Sequence, residues 1–125
     1  MANGIQVWLM KAEQAPLISL RFVTAQGAGT DPAVQAGLAS LMVDMLDEGA
    51  GTRDALALSD AFQLLATDYS AYAATDGLVF SLDMLADNLT ESLSLFSDVL
   101  RRPKFPAQEF DRRKQQRLAG ALAAE

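Results

Sequence analysis

Asp44, Asp47 and Glu48 stand at i, i+3 and i+4. On a helix that spacing gathers three carboxylates on one face. Carboxylates so placed can offer oxygen ligands to a hard cation such as calcium or magnesium, or they can pair with bases. Three carboxylates without a loop of carbonyl ligands make a weak cation cage, so pairing or solvation near the helix end is the expectation. Bases are plentiful in one region only. Residues 101–125 hold Arg101, Arg102, Lys104, Arg112, Arg113, Lys114 and Arg117 against three acids, a net of +4. Residues 1–100 hold 13 acids against Lys11, Arg21 and Arg53, a net of −10. The chain as a whole is acidic, with a formal charge of −6, which argues against a nucleic-acid partner. The expected role of the basic run is a solvated helix face that pairs with acidic surface nearby.

Other chemistry is limited by what the chain lacks. It has no histidine, which removes the commonest general base and the commonest zinc ligand. It has no cysteine, so there is no disulfide, thiolate metal site or thiol nucleophile. A serine nucleophile would need a lysine base, and Lys11, Lys104 and Lys114 are in no Ser-x-x-Lys spacing. The glycines form neither a P-loop nor a G-x-G-x-x-G fingerprint. No apolar run approaches the ~20 residues of a membrane span, and no signal peptide is expected at the start. The compartment stays open between cytoplasm and periplasm.

The elements that would position these residues follow from periodicity. The 125 residues suit one small domain, and half of them are hydrophobic, enough to bury a core. Residues 5–9 alternate apolar and polar after the Asn3-Gly4 turn signal, which predicts a strand. Residues 17–23 predict a second strand. Asp31 and Pro32 predict a helix start, with Leu38, Leu41, Met42, Met45 and Leu46 inward and the end at Gly49-Ala50-Gly51. Thr52 is the expected cap of a helix over about 53–65. Strands over 69–74 and 78–85, joined at Asp76-Gly77, predict a hairpin. Asn88 and Glu91 fit a capping box, opening a helix that buries Leu89, Leu93, Phe96 and Leu100. A last helix is predicted from about Ala107. The fold class is therefore α+β, a mostly antiparallel sheet with helices on one face. The first and last elements sit against the chain ends, so residues 1–125 are expected to be a single partial domain, a fragment of a longer protein.

Several segments, in this order, carry a family resemblance: Asn3-Gly4 before the first strand, Gly37-Leu38-Ala39 in the helix that ends at Gly49, Gly49-Ala50-Gly51-Thr52-Arg53 after it, then Phe105-Pro106 and Glu109-Phe110-Asp111. Together they resemble the N-terminal part of a domain of the pitrilysin/insulinase family of zinc peptidases. That resemblance implies a metal helix bearing H-x-x-E-H, in which two histidines at i and i+4 bind zinc and the glutamate activates water. The matching residues here are Ser40, Val43 and Asp44. Ser40 and Asp44 stand at the two histidine positions, and Val43 stands at the general base. The family's third ligand, a glutamate on the last helix, falls by spacing at Gly120 or Ala121. The resemblance thus implies a catalytically degenerate domain, with no cofactor in this chain although the family uses zinc.

The same resemblance implies an edge strand that binds extended peptide, here Tyr69, Ser70, Ala71 and Tyr72. The expected function is the inactive half or subunit that completes the peptide-binding chamber of a zinc metallopeptidase. Its partners would be an active homologous half bearing H-x-x-E-H, and unfolded peptide. The alternative is a structural scaffold subunit with no part in proteolysis. The isolated piece is expected to self-associate through uncovered sheet edge or helix face.

Overall fold

A computed structural model describes residues 1–12 and 15–124. Strand β1 covers Leu17–Val23. Two 3-10 turns lead to helix α1, Leu38–Met45. A short ribbon, β2 (Gly49–Ala50) and β3 (Arg53–Asp54), precedes α2, Ala55–Leu64. Strands β4 (Asp68–Ala73) and β5 (Leu78–Leu85) are followed by α3, Leu89–Arg101, and α4, Ala107–Ala123. The main sheet is antiparallel with order β1-β5-β4, so β4 and β1 are its two edges. This is the α+β plan that the alternation of periods implies.

Period-two alternation sets the core. In register, Ile18, Leu20 and Phe22 lie opposite Met84, Leu82 and Phe80, and Tyr69 and Ala71 lie opposite Leu82 and Phe80. These side chains share one face of the sheet. They pack with Leu46, Leu58, Phe62, Leu95, Phe96 and Val99 from the helices. The other face is polar at its centre, where Arg21 pairs with Asp83 at 3.1 Å. The hairpin turn closes against Gly27. A Cβ there would sit 2.2 Å from the Ala74 carbonyl oxygen, so only glycine permits this approach.

Several expectations are corrected. Residues 5–9 form no strand, and Trp8 and Leu9 are almost fully exposed. The Asn3-Gly4 turn is present, with Gly4 at φ +84°. A strand needs a neighbour to take its backbone hydrogen bonds, and no described strand lies alongside. Helix α1 starts later than Asp31-Pro32 suggests, after Gly37 at φ +93°. Asp31 still serves it from a distance, accepting hydrogen bonds from the Gly37 and Ala39 N–H groups at 2.9 and 3.1 Å. The buried face of α1 and its end carries Val43, Met45 and Leu46, while Leu38 is half exposed. The helix stops at Met45, and Gly49-Ala50 becomes ribbon. Asp54, not Thr52, caps α2 through a 2.8 Å bond from the Ala57 N–H. Asn88 forms no capping box. A 3-10 turn precedes α3, and the Asn88 amide donates instead to the Leu65 carbonyl at 3.0 Å. The face α3 buries is Ser92, Leu95, Phe96 and Val99, so Leu93 turns outward. Ser92 is admitted to the core because its hydroxyl shares a 2.7 Å hydrogen bond with that of Thr67.

Candidate functional site

Ser40, Val43 and Asp44 lie within one turn of α1, as the family motif requires. Their chemistry is different. Val43 is buried and has no polar atom. Asp44 is engaged: Arg117 Nε and Nη2 both donate to its Oδ2, at 3.0 and 2.5 Å. In the turn that follows α1, Glu48 is buried and takes two guanidinium groups on its Oε1. Arg112 Nη2 lies at 2.9 Å and Arg113 Nε at 2.7 Å. Arg112 also bonds Glu109 at 2.6 Å within α4. The pairs 44–117 and 48–113 show α1 and α4 crossing antiparallel. The Ser40 hydroxyl, the Val43 isopropyl group and an Asp44 carboxylate already bonded to Arg117 do not make a zinc site. Among the described residues, no three His, Cys, Asp or Glu side chains converge to hold a metal ion. The carboxylates at 44, 47 and 48 make no cation cage. Two of them pair with the basic run, as the charge asymmetry implied.

Asp47 has no ion-pair partner among the described residues. Loss of water around it, then the nearby Glu48 charge, raise its carboxyl above the ordinary range. It keeps solvent contact, so the desolvation is partial. Beside it lies Tyr69, whose buried hydroxyl has no hydrogen-bond partner among the described residues. Burial, and secondarily the Asp47 charge, push this phenol upward, so it stays neutral. Its ring stacks on Phe62 at 5.7 Å and tilts against Phe96 at 6.3 Å.

A cleft of about 200 Å³ runs between α1, β4 and α4, with Asp44, Asp47, Tyr69, Ser70 and Arg113 among its walls. The residues expected to meet peptide, Tyr69 to Tyr72, all lie on β4 at the sheet edge. They divide by face: Tyr69 and Ala71 point inward, while Ser70 and Tyr72 are exposed. The free edge offers backbone groups to an added strand. Sequence reasoning placed Asp44 and Glu48 on one helix and the arginines on another. It could not assign the pairs, which are 64 to 73 residues apart. Only the charge imbalance hinted at them.

The model of a family described as Insulinase (Peptidase family M16) matches residues 6–123. Two curated proteins, each called an uncharacterized zinc protease, from Rickettsia felis and Rickettsia bellii, are 19% identical over 107 residues, covering 86% of this chain and 26% of theirs. A crystal structure of a peptidase M16 inactive domain from Pseudomonas fluorescens superposes with TM-score 0.82 at 36% identity, over 87% of this chain and 27% of that one. A protease from Helicobacter pylori superposes with TM-score 0.74 at 16% identity, over 81% of this chain and 24% of that one, a likeness of fold. The chain thus spans about a quarter of the length of the relatives it matches.

Proposed function

From the premise that this chain belongs to the insulinase family of peptidases, family M16, we propose that it is a non-catalytic member that completes a peptide-binding chamber around an active, zinc-bearing half. One observation carries the proposal. The helix crossing where the family's metal chemistry resides holds Asp44 bonded to Arg117, with no base at Val43 and no donor at Ala121. Activation of water by a metal needs an open coordination position, a ligand set and a base to take the proton. These residues supply none of the three. What is kept is the scaffold: the sheet, the α1–β4 packing and the free β4 edge. A strand of substrate can add there through main-chain hydrogen bonds, which do not depend on the missing ligands. The similarity to a domain described as inactive, at 36% identity, supports the same reading.

The test has two arms. Fluorescence anisotropy with labelled extended peptides should show weak binding to this chain. Peptides methylated on every backbone nitrogen should lose it, because neither of their edges can then donate. Incubation with zinc and quenched peptides should give no hydrolysis by this chain alone, and activity should be found when the parent protein is isolated with a histidine-bearing homologue. Hydrolysis by the purified chain, or a parent that never associates with such a homologue, would overturn the proposal. Association with a large complex free of peptidase activity would point to the scaffold role.

A further inference from the structure

We propose that α4 is held in place by an electrostatic latch, in which three arginines do the mechanical work of joining α4 to α1 and to the turn that follows it, and that release of this latch opens the cleft beside β4. None of the α4 side chains is buried, and none joins the core cluster. The side-chain hydrogen bonds that hold α4 are all guanidinium to carboxylate: Arg117 to Asp44 on α1, and Arg112 and Arg113 to Glu48 in the turn that follows α1. Apolar burial, which fixes most helices, contributes little to docking this one. Salt therefore acts on the seat of α4 more than on the core, and first through the partly exposed Asp44–Arg117 pair, since exposed charges are screened while pairs at the buried Glu48 are screened less and buried apolar area is not screened.

The chain before α4 is built to allow a hinge there. Residues 102–104 are tied to the β2 ribbon by the Gly51 N–H to the Arg102 carbonyl and the Lys104 N–H to the Gly49 carbonyl, each at 2.9 Å. Phe105 then takes φ +46°, a left-handed conformation costly for an aromatic residue, and Pro106 starts the helix. Movement beyond 104 leaves that anchor in place. Arg113 is at once a latch residue and a wall of the cleft, so displacement of α4 uncovers the inner side of the β4 edge. The donor set at this crossing does not suit zinc, and the latch joins the same two helices that the ligand positions span. The inference concerns the seat of α4 and stands whether or not peptide binds at β4.

The chain has no native cysteine, so two spin labels can be placed without background. Gln63→Cys on α2 and Gln115→Cys on α4, both exposed, report the position of α4 against the core. Pulsed dipolar spectroscopy should give one narrow distance at about 50 mM salt and a second, longer population at about 1 M, where the screening length falls to about 3 Å. Arg117→Asp should raise the longer population roughly fivefold at low salt, and the exchanged pair Asp44→Arg with Arg117→Asp should reverse this. Arg112→Gln with Arg113→Gln should raise it further, because Glu48 is left buried without a base. A distance unchanged by salt and by Arg117→Asp would overturn the latch. So would a narrowing on addition of zinc, which would put a metal back as the fastener. The 44–117 exchange involves partly exposed side chains, so it stays informative even where the Glu48 variant fails to fold.

Discussion

Tyr69 and Asp47 carry the clearest consequences for single side chains. The Tyr69 hydroxyl is buried with no hydrogen-bond partner among the described residues, and an unmade hydrogen bond of this kind costs about 1–3 kcal/mol. Tyr69→Phe keeps the ring contacts with Phe62 and Phe96. It should be neutral or stabilising by up to about 1 kcal/mol in urea denaturation. Asp47 titrates upward because of desolvation, then Glu48 and, last, Asp44, against the opposing pull of Arg113. A raised carboxyl binds its proton more tightly when folded. Ionised Asp47 therefore costs stability, and that loss sets in as pH rises above the ordinary value of 3.8. Asp47→Asn should stabilise the chain at neutral pH and lose its advantage below that value, as followed by denaturant midpoints across pH. Asp83 has the opposite sign. Hydrogen bonds from Ser19 and Arg21 lower its carboxyl, so its contribution is present at neutral pH and fades as pH falls below 3.8.

Among the elements, α3 shows how a local signal can be right about a helix and wrong about its face. Its polar residues at 88, 91, 92 and 94 leave more than one apolar stripe open. The pull of the core selects Leu95, Phe96 and Val99, with Ser92 admitted through Thr67. Asn88 is informative here. A cap needs only a side-chain acceptor, and aspartate supplies one as well as asparagine does. The bond to the Leu65 carbonyl needs the amide donor. Asn88→Asp should therefore cost about 1–2 kcal/mol rather than nothing, read from thermal or urea melts. The cap of α2 behaves in the ordinary way, and Asp54→Ala should cost about 1 kcal/mol. The period-two strands that pair within the sheet were legible, unlike residues 5–9. Residues 17–23 and 78–85 fall as their alternation requires, because a one-residue slip would expose the whole core face.

For the molecule as a whole, the two sheet edges and the segment Val7 to Met10 are the uncovered features. Val7, Trp8, Leu9 and Met10 are between 66% and 92% exposed, an unusual length of apolar surface for one segment. The expected outcome is self-association of the isolated chain. Light scattering should give a mass that rises with concentration, and Trp8→Lys with Leu9→Lys should return it toward the monomer. A constant monomer mass would mean that these surfaces are covered within one copy. No helix among the described residues is long and apolar enough to cross a membrane.

The sequence by itself determined the chemistry that this chain cannot do and the class of fold it adopts. Composition excluded imidazole and thiolate ligands, and the two periodicities separated strands from helices, because both depend only on residue identity and local spacing. The tertiary structure decided which carboxylate meets which guanidinium, where Asp31 and Asn88 send their hydrogen bonds, and that residues 5–9 find no partner strand. Those choices join residues far apart in the chain. Their energies come from the docking of whole elements, which spacing along the sequence does not encode.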